Sequence, residues 1–200
     1  MKILFHRCPN SFVNCYVLGN RNEDKGTSDA VIIDPAFIDS TIIRFIEDNN
    51  FKLRGILITH AHLNHVRGLR TLKRIYDVDI YAMNRVILDQ ECVLIRDMDI
   101  FYAGPFRFEV ISVPGHSLDS VVFKIEHLLF TGDVISAGLV GLTASTYGAK
   151  TQMNALRNKV LSLPGDFIIL PGHGPPSSLE AERRFNSEIQ YYENKHPEFL

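Results

Sequence analysis

Short apolar runs alternate along this chain with segments in which apolar residues return every third or fourth position. The runs predict strands over residues 14–19, 30–34, 55–59, 79–82, 106–113, 120–125, 128–130 and 167–170. Phe106-Arg107-Phe108-Glu109-Val110 alternates with the period of two expected of a half-buried strand. The other spacing predicts helices. Ile42, Ile43, Phe45 and Ile46 form one apolar face, and Met153, Leu156, Val160 and Leu163 another. Ser177 with Glu180 reads as a capping box opening a third helix, in which Phe185, Ile189 and Tyr192 repeat. Strands come first and mixed strands and helices follow. That order argues for an α/β or α+β layered domain, two packed sheets with helices outside. No repeat, linker or low-complexity tract divides residues 1–200, so one domain is expected.

Composition narrows the partners. With 46% hydrophobic residues among 200, the chain can bury a substantial core. A net charge of −2 offers no basic field to nucleic acid. The opening Met1-Lys2-Ile3-Leu4-Phe5-His6-Arg7 is too soon broken for a signal peptide, and no apolar run approaches membrane-spanning length. Cys8, Cys15 and Cys92 are odd in number and lack metal-type pairing, which fits a reducing compartment. The expectation is a cytoplasmic protein acting on a small molecule, with neither nucleic acid nor membrane as partner.

The chemistry concentrates in Thr59-His60-Ala61-His62-Leu63-Asn64-His65, directly after the apolar run at residues 55–58. Neutral imidazole offers a nitrogen lone pair near neutral pH, which makes histidine the commonest metal ligand. Two histidines one residue apart on an extended segment point the same way, and a third one turn onward can face a neighbouring position. The spacing suits two adjacent ions better than one. Further strands end in the same manner: Pro114-Gly115 leads to His116, Thr131-Gly132 to Asp133, and Pro171-Gly172 to His173. A glycine at a strand end lets the backbone turn sharply and present the next side chain into a cleft. His6, His127 and His196 lie outside this pattern and read as ordinary surface or core histidines.

Asp34-Pro35 after Val31-Ile32-Ile33, then Thr-His-x-His-x-x-His, Pro-Gly-His, Thr-Gly-Asp and a second Pro-Gly-His resemble, in order and spacing, the metallo-β-lactamase fold superfamily. The resemblance covers residues from about 14 to 176. It implies an αββα four-layer sandwich of two mixed sheets with helices on the outer faces. Within the superfamily, the compact length and Leu170-Pro171-Gly172-His173-Gly174-Pro175 resemble the short bacterial glyoxalase II-like hydrolases. The resemblance assigns His60, His62 and His116 to a first metal, His65 and His173 to a second, and Asp133 as the bridge. It implies Zn²⁺, one ion or two, with Fe²⁺ or Mn²⁺ as alternatives.

Three segments depart from the family pattern. The usual second-metal aspartate before His65 is Asn64, also the expected partner of Asp133 in orienting the attacking hydroxide. A neutral amide leaves one more positive charge uncompensated, so the second ion is expected to bind more weakly. Where short relatives often carry Gly-Arg-Thr-Asp, this chain reads Gly141-Leu142-Thr143-Ala144, without either charge. Where they often read Gly-His-Thr-x-Gly, it has Gly115-His116-Ser117-Leu118-Asp119. Tyr147 and Lys150 read as a solvated loop pair near the mouth. The function implied is metal-dependent hydrolysis of a thioester or ester by metal-bound hydroxide. The alternatives are a mononuclear iron enzyme of persulfide dioxygenase type, built on His60, His116 and Asp133, and a non-catalytic metal-binding relative. The resemblance makes a β-lactam the less fitting substrate, since that role implies export.

Overall fold

The computed structural model describes residues 1–9, 11–22 and 26–195. The first half of the chain builds one six-stranded sheet. β1 (Lys2–Arg7), β2 (Asn14–Asn22) and β3 (Thr27–Ile33) run antiparallel in sequence. α1 (Ser40–Asp48) then carries the chain across to β4 (Lys52–Leu57), parallel to β3. α2 (Leu63–Val66) and α3 (Leu69–Ile75) lead to β5 (Ile80–Ala82), parallel to β4. After a small hairpin of β6 (Val86–Ile87) and β7 (Gln90–Glu91), β8 (Val93–Leu94) closes the order β1-β2-β3-β4-β5-β8. Parallel neighbours need a crossover, and helices supply the first two.

The second half builds the other sheet. β9 (Ile100–Ala103), β10 (Phe106–Ser112), β11 (Val121–Ile125) and β12 (Leu128–Gly132) are successive antiparallel neighbours. A hairpin of β13 (Ile135–Ser136) and β14 (Leu139–Val140) follows, then α4 (Thr146–Ala155), which runs into a π-helical stretch at Leu156–Leu161. β15 (Ile168–Pro171) returns parallel to β12, β16 (Ser177–Ser178) flanks it, and α5 (Leu179–Phe185) and α6 (Ser187–Lys195) end the described chain. The order is β16-β15-β12-β11-β10-β9.

The period-two alternation sorts side chains into layers. Tyr16, Leu18, Val31, Ile33 and Leu57 pack with Phe108, Val110, Phe123 and Phe130 between the two sheets. Their neighbours Val17, Ala30, Ile32 and Ile56 face the other way, against Ile42, Ile46, Leu69 and Leu72 of α1 and α3. On the far face of the second sheet, Val122, Leu129 and Ile169 meet Met153, Leu156, Val160, Leu179 and Ile189. The result is the four-layer αββα arrangement that the resemblance implied. Each fully buried Val, Leu, Ile or Phe side chain among these contributes about 1.5–3 kcal/mol.

Local details depart from the sequence reading. The expected strand over residues 55–59 stops at Leu57, because the Asp34 carboxylate accepts the Thr59 N–H at 2.8 Å and draws the backbone off the ladder. The helix cap is Ser178, whose hydroxyl accepts from the Ala181 N–H, while Ser177 donates to Glu182 instead. The last helix breaks at Asn186, whose side-chain oxygen accepts the N–H groups of Glu188 and Ile189 and restarts the chain as α6. Phe185 is therefore 74% exposed whereas Ile189 is buried. Tyr147 and Lys150 sit on α4 rather than on a loop. Cys8 and Cys15 are buried free thiols, as small hydrophobes should be. His196 lies outside the described residues.

Candidate metal centre

Strand ends from both sheets meet at one edge of the sandwich. The segment leaving β4 delivers Thr59, His60 and His62, and α2 delivers His65. The loop between β10 and β11 delivers His116, the end of β12 delivers Asp133, and the end of β15 delivers His173. Cross-sheet hydrogen bonds hold the ends in register. The Val121 N–H donates to the Thr59 carbonyl at 2.9 Å, and the Asn14 N–H to the Gly172 carbonyl at 2.7 Å. Asn14 also donates through its side-chain amide to the carbonyls of Pro171 and Gly174, and the Tyr16 hydroxyl adds a third bond at Pro171. Thus β2 clamps the loop that carries His173.

Asp133 is the hub. Its Oδ2 lies 3.3 Å from His65 Nε2, 3.6 Å from both His116 Nε2 and His173 Nε2, and 3.9 Å from His60 Nε2. His62 joins through its Nδ1, 3.0 Å from His116 Nε2. The His65 and His173 rings lie 5.6 Å apart between centroids. Potential donor atoms of His60, His62 and His116 lie within 4.8 Å of one another, and so do those of His60, His65 and Asp133. All six histidine and aspartate positions singled out in the sequence therefore converge. Asn64 stands half-buried on α2 beside His65, and its side chain hydrogen-bonds no described residue.

Three outer contacts fix which nitrogen each ring turns inward. The Thr59 hydroxyl donates to Asp34 Oδ2 at 2.6 Å and so is left to accept from His60 Nδ1, 3.1 Å away. Asp34 Oδ2 also accepts from His65 Nδ1 at 3.0 Å, and the Leu142 carbonyl accepts from His116 Nδ1 at 2.7 Å. In each case the outer partner engages Nδ1 and turns Nε2 toward the cluster. Asp119 pins the same loop from the other side, accepting the Ala61 N–H at 2.9 Å and the Asn84 amide at 2.5 Å. The supporting roles of Thr59, Asn84 and Asp119, and that of the Leu142 carbonyl, are not legible in sequence. Their partners lie 25 to 58 residues away, apart from Thr59 beside His60.

Two glycines make room. At Gly172 a Cβ would stand 2.3 Å from Asp133 Oδ1 and 2.7 Å from His65 Cε1. Gly132 adopts φ +49°, and a Cβ there would meet the Thr59 hydroxyl at 2.4 Å. Only glycine tolerates both the turn and the crowding.

The electrostatics are those of a site built for a cation. Burial, with the neighbouring His65, pushes the His60 imidazole down to about 4. Burial and His116 also lower His62. Burial works against the charged form of His65 too, but Asp133 and Asp34 outweigh it and raise the ring to about 9. Burial would raise Asp133, yet the adjacent His65 imidazole and the surrounding rings hold it at about 2. A carboxylate is thus kept ionised beside His60 and His62, both shifted toward their neutral form. Buried polar atoms are normally partnered, but His60 Nε2, His65 Nε2 and Asp133 Oδ1 have no hydrogen-bond partner among the described residues. Two nitrogens on one tetrahedral zinc stand about 3.3 Å apart, comparable to the 3.0 Å between His62 and His116. The donor set, its spacing and its orphaned atoms fit a bound metal.

Comparison with known proteins agrees. A sequence model of the metallo-beta-lactamase superfamily matches residues 9–86. Hydroxyacylglutathione hydrolase GloC of Haemophilus influenzae is 32% identical over 182 residues, covering 78% of this chain and 85% of that protein. The probable polyketide biosynthesis zinc-dependent hydrolase BaeB of Bacillus velezensis is 26% identical over 195 residues, covering 91% and 84%. The crystal structure of BLEG-1 B3 metallo-beta-lactamase superposes with a TM-score of 0.82 at 25% identity, covering 94% of this chain and 99% of that one. The four-layer fold, the converging histidines and the likeness to GloC lead to one conclusion: this chain belongs to the metallo-beta-lactamase superfamily.

Proposed function

We propose that this chain is a zinc-dependent hydrolase of thioesters or esters, of glyoxalase II-like type. The observation that carries the reading is Asp133 Oδ2 lying within 3.9 Å of the Nε2 atoms of His60, His65, His116 and His173. His60, His62 and His116 would hold the first ion, His65 and His173 the second, with Asp133 between them. When bound, the metal supplies water acidified to a pKa of ~7 and polarisation of the substrate carbonyl. Imidazole nitrogens and a carboxylate suit zinc, and a zinc-dependent relative supports that choice over iron.

The residues have distinct tasks. Asp34, Thr59 and the Leu142 carbonyl hold Nδ1 protons and fix the rings. Asp133 Oδ1, buried and unpartnered among the described residues, is the acceptor that orients the attacking water. Asn64, where a carboxylate is usual, supplies a neutral amide and weakens the second ion. No general acid is required for a thioester, because a thiol of pKa about 8.5 leaves readily as thiolate near neutral pH. An amide or alkoxide leaving group would need a proton donor. The β-lactamase likeness extends to the fold, so a β-lactam belongs in the test panel as a control.

The test is metal analysis of protein purified without added metal, followed by assays on thioesters, a β-lactam and, with iron under oxygen, a persulfide. Zinc near one or two per chain, with thioester turnover lost in His116→Ala, is expected. Iron near one per chain with persulfide oxidation would replace this reading by the mononuclear oxygenase built on His60, His116 and Asp133. Bound metal with no turnover of any substrate would replace it by a binding role.

A further inference from the structure

We infer that the substrate's acyl group is apolar and uncharged, and that it lies in a cleft beginning at His116; this rests on the thioesterase reading above. The cleft encloses about 270 Å³ and is walled by Pro114, His116, Leu118, Ala144, Tyr147 and Thr151 among others. His116 belongs at once to this wall and to the donor cluster, where its Nε2 stands 3.6 Å from Asp133. The cleft therefore adjoins the place where a scissile carbonyl would react. The acyl chain and the leaving thiol are both bonded to that carbonyl, and a cleft of this size without charged lining suits the acyl chain rather than a large polar thiol carrier.

Among the described residues, the wall contains no Lys, Arg, Asp or Glu. Its rim is apolar and open to solvent: Leu118 is 91% exposed and Tyr147 81%. Leu142, at 86%, projects from the loop whose carbonyl holds His116 Nδ1. Large apolar side chains gathered at one exposed place mark a binding surface rather than chance exposure. The wall therefore offers no charged side chain to pair an anionic group. A carboxylate in the cleft would be desolvated without a partner, which is costly. A hydrocarbon there gains about 25 cal/mol for each Å² withdrawn from water.

The experiment uses zinc-loaded protein and three thioesters of one neutral thiol, N-acetylcysteamine, with acetyl, hexanoyl and succinyl groups. Hexanoyl should exceed succinyl by at least ~10-fold in kcat/KM, the low end of discrimination by an apolar pocket. Leu118→Asp and Ala144→Asp place a charge in the wall at exposed positions that the fold tolerates. Each should lower the hexanoyl-to-acetyl ratio by about 10-fold, mainly through KM. Succinyl equal to hexanoyl, or variants that scale all three substrates alike, would overturn the assignment. So would a preference that follows the thiol when the acyl group is held constant.

Calorimetry with the free acids separates this inference from the reading beneath it. Hexanoate should bind the zinc-loaded protein more tightly than acetate, and Leu118→Asp should abolish the difference. Equal binding overturns the apolar cleft. Tighter hexanoate with no thioester turnover keeps the cleft and overturns only the hydrolase.

Discussion

Oδ2 of Asp34 lies 3.0 Å from Nδ1 of His65, and this contact aims the opposite nitrogen at Asp133. Asp34 achieves it from the end of β3 with φ +49°, a conformation that aspartate tolerates better than most residues. Its other oxygen takes the Thr59 N–H, so one buried carboxylate sets both the exit of β4 and the orientation of a donor ring.

Asp34→Asn tests that link. The amide keeps the shape but loses the charge that fixes the His65 proton. Metal affinity should fall ~10- to 100-fold, the range for partners of ligating histidines. Competition against a chelator measures it, with circular dichroism to show that the fold persists. Unchanged affinity would mean that packing alone orients His65.

Asn64→Asp tests the departure next to His65. Wild-type protein should take up one tight ion and one weaker by at least ~10-fold, the low end for an altered ligand shell. The added carboxylate should narrow that gap and raise thioester hydrolysis by ~10- to 100-fold. Two equally tight ions in the wild type, or no tightening in the variant, would show that the amide does not limit the second site.

Gly172→Ala should cost metal binding rather than fold. Its Cβ would press on Asp133 Oδ1 and His65 Cε1 at 2.3 and 2.7 Å, so both must shift. Metal content after dialysis should drop while far-UV circular dichroism stays native. Full metal occupancy would contradict the crowding described.

Acid should reveal a second tie. Asp97 accepts the Ser112 N–H at 2.8 Å and the Lys159 ammonium at 2.6 Å, joining the helix after α4 to the strand that leads to His116. Partial burial pushes the Asp97 carboxyl up, but Lys159 and the Ser112 N–H outweigh it and hold it below its ordinary 3.8. The unfolded chain therefore takes up the proton first. The contribution is complete above about 3.8 and is lost as pH falls through the lower folded value. Denaturant midpoints from pH 6 down to 3 should fall less steeply in Asp97→Asn than in the wild type. Parallel curves would remove Asp97 from the acid response.

The sequence by itself determined the layers and the donors. Period-two alternation decides which of Val17 and Leu18 faces the helices and which the other sheet, because a strand cannot turn one side chain without turning its neighbour. The donors were legible because imidazole and carboxylate spacing at strand ends is local chemistry. Short-range competition hid the finer boundaries. Ser177 and Ser178 are equally good caps by composition, and only the contact with Glu182 assigns one hydroxyl elsewhere. Asn186 breaks a helix that periodicity would continue. Tertiary structure alone decided the outer contacts of the site, such as Asp119 on Ala61 across 58 positions and the Leu142 carbonyl on His116. Backbone carbonyls carry no residue identity, and a hydrogen bond between distant loops exists only once both sheets are packed. The same holds for the cleft beside His116: exposed Leu118 and Tyr147 look like any surface residues until folding sets them in one wall.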